Sequence, residues 1–284
     1  MTSSVMQGVA SVGAIQMVSG YDLEANLAEA ARLLEAAAGQ GIRVAVLPEN
    51  FALLQTSKMQ AQGTREQQET GDIRGFLREQ ARRLGLWIVG GSLPIASRPD
   101  GTALEERVRA SCFVVDDRGN EMARYDKIHL FDATVGDAQG QYRESDAFEP
   151  GDTLVSVETP AGVLGLAICY DLRFPELFRG LRDKGVDWVS LPSAFTYLTG
   201  AAHWHALIRA RAIENQVYVV AAGQGGHNSD RRHTYGHSLI ADPWGTVVAE
   251  MAEGAGLVSA DVDLARLADL RTRMPVWEHR RLRW

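Results

Sequence analysis

Cysteine is scarce in this chain: Cys112 and Cys169 are the only two in 284 residues. Two thiols that far apart supply neither a disulfide framework nor a cysteine-rich metal cluster. Basic charge is not in excess either. Lys and Arg total 29 against 36 Asp and Glu, a net charge of −7, and no basic stripe appears. That balance argues against wrapping a phosphate backbone, so no nucleic-acid partner is expected. Long apolar runs are missing: none nears the roughly 20 residues that cross a bilayer. The first apolar stretch is broken by Gln7 and Gln16 and has no basic flank, unlike a secretory leader. These absences lead to the expectation of a soluble, cytoplasmic protein with no membrane partner. No Pro/Gly/Ser-rich linker or repeat divides the chain. One domain over residues 1–284 is expected, its core at about 9–262 and a C-terminal helix and tail at about 263–284.

What is present alternates between short buried strands and helices. Val9–Val18 reads as a strand, followed by a helix in which Leu23, Leu27, Ala30, Leu34 and Ala38 recur at helical spacing until Gly39 and Gly41 end it. Val44–Leu47 is a short continuous apolar run stopping at Pro48-Glu49-Asn50. A helix over Phe76–Leu84 precedes a strand over Leu86–Gly91. Val108–Val115 and Met122–Leu130 read as a hairpin, with Cys112 as core packing within it. Phe131–Asp152 shows no periodicity, and loops so long are uncommon unless functional. Further strands are expected at Val186–Leu191, Val217–Ala222, Val247–Glu250 and Leu257–Val262, with helices at about Ala202–Asn215 and Leu264–Arg273. Asp242-Pro243-Trp244-Gly245 has the residues of a type I turn. Several strand pairs are joined too tightly for parallel crossovers, so the fold class is α/β with mixed sheets covered by helices.

One stretch organises the rest. Val163–Ile168 reads as a buried strand, and Leu177, Phe178 and Leu181 lie at helical spacing after Pro175, which suits a first helical turn. Cys169 falls between them, where free N–H groups and a helix dipole would lower a thiol pKa. A lone cysteine ending an apolar strand is nevertheless most often a small buried hydrophobe.

Three further residues carry the same ambiguity. Glu49 follows a buried strand, where open α/β sheets place active sites, yet it could simply begin a surface loop. Lys127, on a strand face with Ala123 and Tyr125, is either an edge charge or an ammonium held inside a site. Glu144, in the loop Tyr142-Arg143-Glu144-Ser145, would by default be solvated. Together a carboxylate, an ammonium and a thiol make chemical sense. The carboxylate takes the thiol proton, the sulfur attacks a carbonyl or nitrile carbon, and the ammonium with the Tyr170 backbone N–H stabilises the oxyanion. Sequence spacing alone does not bring the three together.

Leu47-Pro48-Glu49, Tyr125-Asp126-Lys127-Ile128-His129-Leu130 and Cys169-Tyr170-Asp171-Leu172-Arg173-Phe174-Pro175-Glu176 stand in an order that resembles the nitrilase, or carbon–nitrogen hydrolase, superfamily. The resemblance runs from about Val9 to the C-terminus. It implies a catalytic set of Glu49 as general base and acid, Lys127 as oxyanion stabiliser and Cys169 as nucleophile, with Glu144 positioning substrate or water. It also implies a four-layer α-β-β-α sandwich and self-association as a dimer or larger homo-oligomer; no cofactor or metal is expected from the residues. Pro192-Ser193-Ala194-Phe195, Thr199-Gly200, Arg209–Gln216, Tyr235-Gly236-His237-Ser238 and Asp242–Ala249 make the chain most similar to the branch that hydrolyses deaminated glutathione, with the ω-amidases next. The loops Asp132–Gln141 and His227–His233 follow neither pattern.

The activity implied is hydrolysis of the terminal amide of a small carboxylate-bearing molecule, with 2-oxoglutaramate, nitriles or N-carbamoyl compounds as alternative substrates. Arg173 is a candidate for pairing with a substrate carboxylate, or equally for a structural ion pair with a local Asp or Glu. Phe195 and Thr199 are further pocket candidates, and Arg231 and Arg232 could meet a distal carboxylate or stay solvated. A catalytically silent interaction protein and a thiol redox protein are the readings from other classes. His203 and His205, two apart in a helix, point to different sides and lack the spacing of a helical metal pair. Gly223-Gln224-Gly225-Gly226 matches neither phosphate nor dinucleotide loops.

Overall fold

Alternation along the strands decides the architecture. The computed structural model describes residues 8–68 and 70–282; the leader question concerns residues 1–7, and the end of the tail residues 283–284, all outside the described residues. In chain order the elements are β1 (Val9–Gln16), α1 (Leu23–Gly39), β2 (Val44–Val46), α2 (Met59–Arg65), α3 (Asp72–Leu84), β3 (Trp87–Val89), β4 (Leu93–Ile95), β5 (Arg109–Val115), β6 (Glu121–Asp126), β7 (Asp132–Thr134) and β8 (Gln141–Arg143). There follow β9 (Ser156–Thr159), β10 (Gly162–Leu166), α4 (Pro175–Asp183), β11 (Trp188–Ser193), α5 (Tyr197–Asn215), β12 (Tyr218–Gly223), β13 (Gly225–His227), β14 (His233–Tyr235), β15 (Leu239–Ala241), β16 (Val247–Glu250), β17 (Gly256–Asp263) and α6 (Leu264–Arg273).

One sheet runs β17-β1-β2-β3-β5-β4 with β6 added to β5, the other β16-β15-β12-β11-β10-β9. Both are mixed: β1, β2 and β3 are parallel, as are β10, β11 and β12, while the flanking pairs are antiparallel. Side chains alternate between faces at period two. Val12, Ala14, Val44, Val46, Val89, Cys112 and Val114 therefore join one core with Leu164, Leu166 and Trp188 of the second sheet. Ile15, Ala45, Leu47, Ile88, Phe113 and Val115 face the other way, onto α1 and α3. On the far side of the second sheet, Phe178 and Leu181 of α4 and Trp204, Ile208 and Ala212 of α5 cover its strands. The layers are α-β-β-α, as the resemblance implied. Among the described residues no helix is long and apolar enough to cross a membrane.

Several elements depart from the sequence reading. Helix α5 begins at Tyr197, five residues earlier than expected, because the Thr196 side chain caps it by accepting from Thr199 N. Gly200 in its first turn hid the helix; it is required because a Cβ there would sit 2.3 Å from the Cβ of Tyr235. The stretch Phe131–Asp152 holds a small hairpin, β7 and β8, and Gly223–Tyr235 holds another, β13 and β14. Strand β6 stops at Asp126, so Lys127 lies just beyond the ladder, its N–H still donating to Ala110 O at 2.9 Å. Short elements such as α2, β4 and β9 are too brief for periodicity to show.

Candidate active site

Glu49, Lys127, Glu144 and Cys169 meet at one end of the sandwich, around a cavity of about 110 Å³. Each is delivered by a different device. Leu47-Pro48-Glu49 leaves the end of the buried strand β2. Gly91 adopts φ 58°, and a Cβ there would approach the Pro48 carbonyl oxygen to 2.1 Å, so the neighbouring strand end can close on Glu49 only with glycine present. Asn50 at φ 54° then turns the chain sharply, with its N–H on Ser92 Oγ. Gln224, which the sequence reading passed over, donates from Nε2 to Glu49 O at 3.1 Å and to Ser19 Oγ at 2.9 Å.

Lys127 is 2% exposed. Its Nζ donates to Glu49 Oε1 at 2.8 Å and to both oxygens of Glu144 at 2.8 and 2.9 Å. Glu144 also accepts from Phe131 N at 2.6 Å. One ammonium thus serves two carboxylates. Burial would lower the Lys127 pKa, but the charges of Glu144 and Glu49 outweigh it and hold the ammonium well above the usual lysine range. Glu144 goes the other way. Burial raises its carboxyl above the ordinary value, and the negative charge of Glu49 adds to that, against the pull of Lys127.

Cys169 opens a short 3₁₀ turn, Cys169–Arg173, and takes φ 49°, a strained left-handed backbone for a residue with a side chain. The expectation of a depressed thiol pKa is overturned. Burial first, then the negative charge of Glu49, push the thiol well above its ordinary value, with Lys127 opposing. The reason is geometric: the turn separates Cys169 from α4, which begins only at Pro175, so that helix's dipole is not at the sulfur. The resting group is a neutral thiol hydrogen-bonded to the Glu49 carboxylate, with the Ala194 N–H also in reach of the sulfur.

Asp171 is a second positioning residue that sequence reasoning missed, although it stands inside the quoted motif. Fully buried, it accepts from Ile168 N at 2.8 Å, Tyr125 OH at 2.7 Å and His129 N at 3.0 Å, and its Oδ1 lies 2.7 Å from His129 Nδ1. The Cys169 turn is thereby tied to both flanks of Lys127. A buried acid between two motif residues was the available signal. Among the described residues the Tyr170 N–H donates to no protein acceptor.

A smaller lobe of the pocket is lined by Phe131, Tyr170, Arg173, Phe195 and Thr199 together with Cys169. The Arg173 guanidinium carbon lies 5.7 Å from the Tyr170 ring centroid and 5.3 Å from that of Phe195, and Nη1 is 3.2 Å from His203 Nδ1. Among the described residues it pairs with no carboxylate, so the structural ion pair considered for it does not form. Arg143 of β8 and Arg232 line the main cavity, and Arg231 does not. Gln139 and Arg232 bring both loops that departed from the family pattern into its walls. A wider hollow of about 530 Å³, between Trp244 and α6, has no nucleophile or general base among its lining residues.

A thiol, a carboxylate beside it and a lysine shared between two carboxylates, on a double-sheet sandwich, define a thiol hydrolase. The sequence matches the carbon-nitrogen hydrolase family over residues 9–272, and the chain belongs to that family; it is an amidase, cleaving C–N bonds. It is 40% identical over 272 residues to the deaminated glutathione amidase of Yersinia enterocolitica, covering 96% of this chain and 93% of that one. Against the human protein of the same name identity is 40% over 275 residues, 95% of this chain and 82% of the other. Among solved structures, Saccharomyces cerevisiae Nit3 superposes with a TM-score of 0.86 at 30% identity, covering 99% of this chain and all of that one.

Proposed function

We propose that the chain removes the terminal amide of deaminated glutathione, releasing ammonia through a Cys169 thioester. The observation that carries the chemistry is the Lys127 ammonium held 2.8 Å from Glu49, whose carboxylate takes the hydrogen bond of the Cys169 thiol. Because that thiol is neutral at rest, Glu49 removes its proton as sulfur attacks the amide carbon. A C–S bond forms, and the carbonyl oxygen becomes an oxyanion facing Lys127 Nζ and the Tyr170 N–H. Collapse breaks the C–N bond, with Glu49 giving its proton to the leaving nitrogen. Glu49 then takes a proton from water, the resulting hydroxide attacks the thioester, and the C–S bond breaks to return sulfur and proton to their starting places. Glu144 keeps Lys127 aimed and orients substrate or water beside it.

The choice of substrate draws support from the rim. Arg173, Arg143 and Arg232 surround a pocket whose inner acids are partly neutralised by Lys127, a setting suited to a molecule with free carboxylates. Phe195 and Thr199 are assigned to the same lobe, as an apolar wall and a hydroxyl. The names of the relatives point to the same amide. The proposal extends to a homo-oligomer, since Tyr197, Leu198 and Ile213 of α5 are exposed, and to the cytoplasm, where two free thiols stay reduced. Sedimentation of the purified protein as a monomer at micromolar concentration would remove the first of these.

The deciding measurement is ammonia release from deaminated glutathione and from 2-oxoglutaramate, with Cys169→Ser as control. The expected result is a higher kcat/KM on deaminated glutathione, and loss of turnover by roughly 10⁴-fold or more in the serine variant. Preference for 2-oxoglutaramate would transfer the chain to ω-amidase activity, and turnover retained by Cys169→Ser would end the thioester mechanism.

A further inference from the structure

Among the described residues four that are not glycine take positive φ: Asn50, Cys169, Gln216 and His237. The first follows Glu49, the second is the nucleophile, and Gln216 closes the C-terminus of α5 in the left-handed conformation. His237, at φ 53°, has no such role, yet it is firmly held. Its carbonyl accepts from Trp204 Nε1 at 2.8 Å, its N–H donates to Ala252 O at 3.3 Å, and its ring stacks on Tyr235 with centroids 4.3 Å apart. Backbone strain kept in place by its surroundings asks for a use of the side chain.

That side chain points at Glu250 of β16. Glu250 Oε1 lies 2.7 Å from His237 Nδ1 and 2.8 Å from Nε2 of His205 in α5. We propose that His205, His237 and Glu250 form a binding site for a divalent transition-metal ion such as zinc, apart from the active-site pocket. The ligand atoms of the three residues lie within 4.8 Å of one another. Zinc–ligand bonds of about 2.0–2.2 Å put tetrahedral donors roughly 3.4 Å apart, so the two short contacts open by well under 1 Å to admit an ion. Two imidazoles and one carboxylate are the donor set of zinc, cobalt or nickel rather than of calcium or magnesium, which favour oxygen alone. The side chains of His205, His237 and Glu250 keep 35%, 27% and 33% of their surface exposed, leaving room for water to complete the shell.

The three ligands come from a helix, a strained turn and a strand, which is why spacing within α5 could not reveal the site. His205 follows the buried Trp204 that holds the His237 carbonyl, so two ligands are locked together by one tryptophan. An ion here would clamp α5, whose first turn carries Thr199 to the substrate pocket, against β16. Its role is structural.

The test titrates chelator-treated full-length protein with zinc, and separately with cobalt(II), by calorimetry and visible absorption. The Cys169→Ser background removes thiolate binding at the nucleophile. One ion per chain is expected, with cobalt bands of nitrogen–oxygen ligation and a zinc-dependent rise in Tm. Glu250→Gln and His205→Ala should each weaken binding by at least about tenfold and abolish the Tm rise, while His279→Ala in the C-terminal tail does neither. Glu250→Gln sits on a solvent-facing strand position and keeps the shape of its parent, so loss of fold cannot stand in for loss of a ligand. Failure to bind, or stoichiometric binding that survives Glu250→Gln, overturns the site.

Discussion

Glu144 and Glu149 stand five residues apart on one segment, and each faces cations, yet the environments push them in opposite directions. Glu144 shares the single Lys127 ammonium with Glu49 inside the pocket, and burial with the like charge raises its carboxyl. Glu149 has three guanidiniums to itself: Arg98 at 2.8 Å, Arg107 at 3.8 Å and Arg109 in direct contact. The hydrogen bond from Arg98 leads, Arg109 adds to it, and the carboxyl falls to about 2 despite some desolvation. One cluster has too few cations for its acids and the other too many. The deficient cluster holds groups ready to exchange protons; the saturated one ties the chain after β8 to the start of β5 and to the segment after β4, and does no chemistry.

The largest effect should come from removing the shared cation. Lys127→Met leaves two adjacent carboxylates without a partner and the oxyanion without its ammonium, so kcat should drop about 100- to 1,000-fold in folded protein. Near-normal turnover would break the contrast. Glu144→Gln relieves the shortage, leaving one ammonium and one carboxylate. It should lower kcat by about tenfold through loss of Lys127 positioning while Tm holds or rises, because a carboxylate with a raised folded pKa opposes folding above that pKa. A Tm drop of several degrees would show that Glu144 is structural like Glu149.

A rim cation should behave unlike the buried one. Arg173→Lys forfeits the planar fork while keeping charge, and should raise KM for a carboxylate substrate about tenfold with kcat retained; unchanged KM removes Arg173 from recognition. The smallest effect belongs to Glu149→Gln. Turnover should be unaffected and stability at neutral pH lowered by about 1 kcal/mol, discounted for solvent screening on the Arg98 side. The sign follows from the depressed pKa: the contribution is whole above the unfolded carboxylate pKa near 4.5 and disappears as pH falls toward 2. Denaturation curves of parent and variant should therefore converge on acidification. Curves that stay parallel would exclude Glu149 as the cause.

Much of this was legible in the chain itself. The apolar stretch Val9–Val18 and the short buried runs Val44–Leu47 and Leu86–Gly91 mark strands because such patterning is local. Glu49, Lys127 and Cys169 each had a simpler structural reading taken singly, and stood out as a set only through the order of the three motifs that carry them. Proline at position 175 marked the start of α4 for a similarly local cause. The strained φ at Cys169, the raised thiol pKa and the helix begun at Tyr197 were not legible. They depend on the turn after β10, on the distance to Glu49 and on Tyr235 packing over Gly200, all contacts between residues far apart in sequence.

The sequence by itself marked most of the longer strands and helices and, through the order of its motifs, singled out Glu49, Lys127 and Cys169 as the candidates for a thiol-based chemistry. Only the tertiary structure decided that two carboxylates compete for one ammonium, that Asp171 ties the Cys169 turn to the strand before Lys127, and that His205 finds its partners on other elements. The physical reason is that periodicity and motif order are properties of neighbours along the chain. Charge balance, desolvation and donor geometry arise from groups that meet only when the two sheets close on each other.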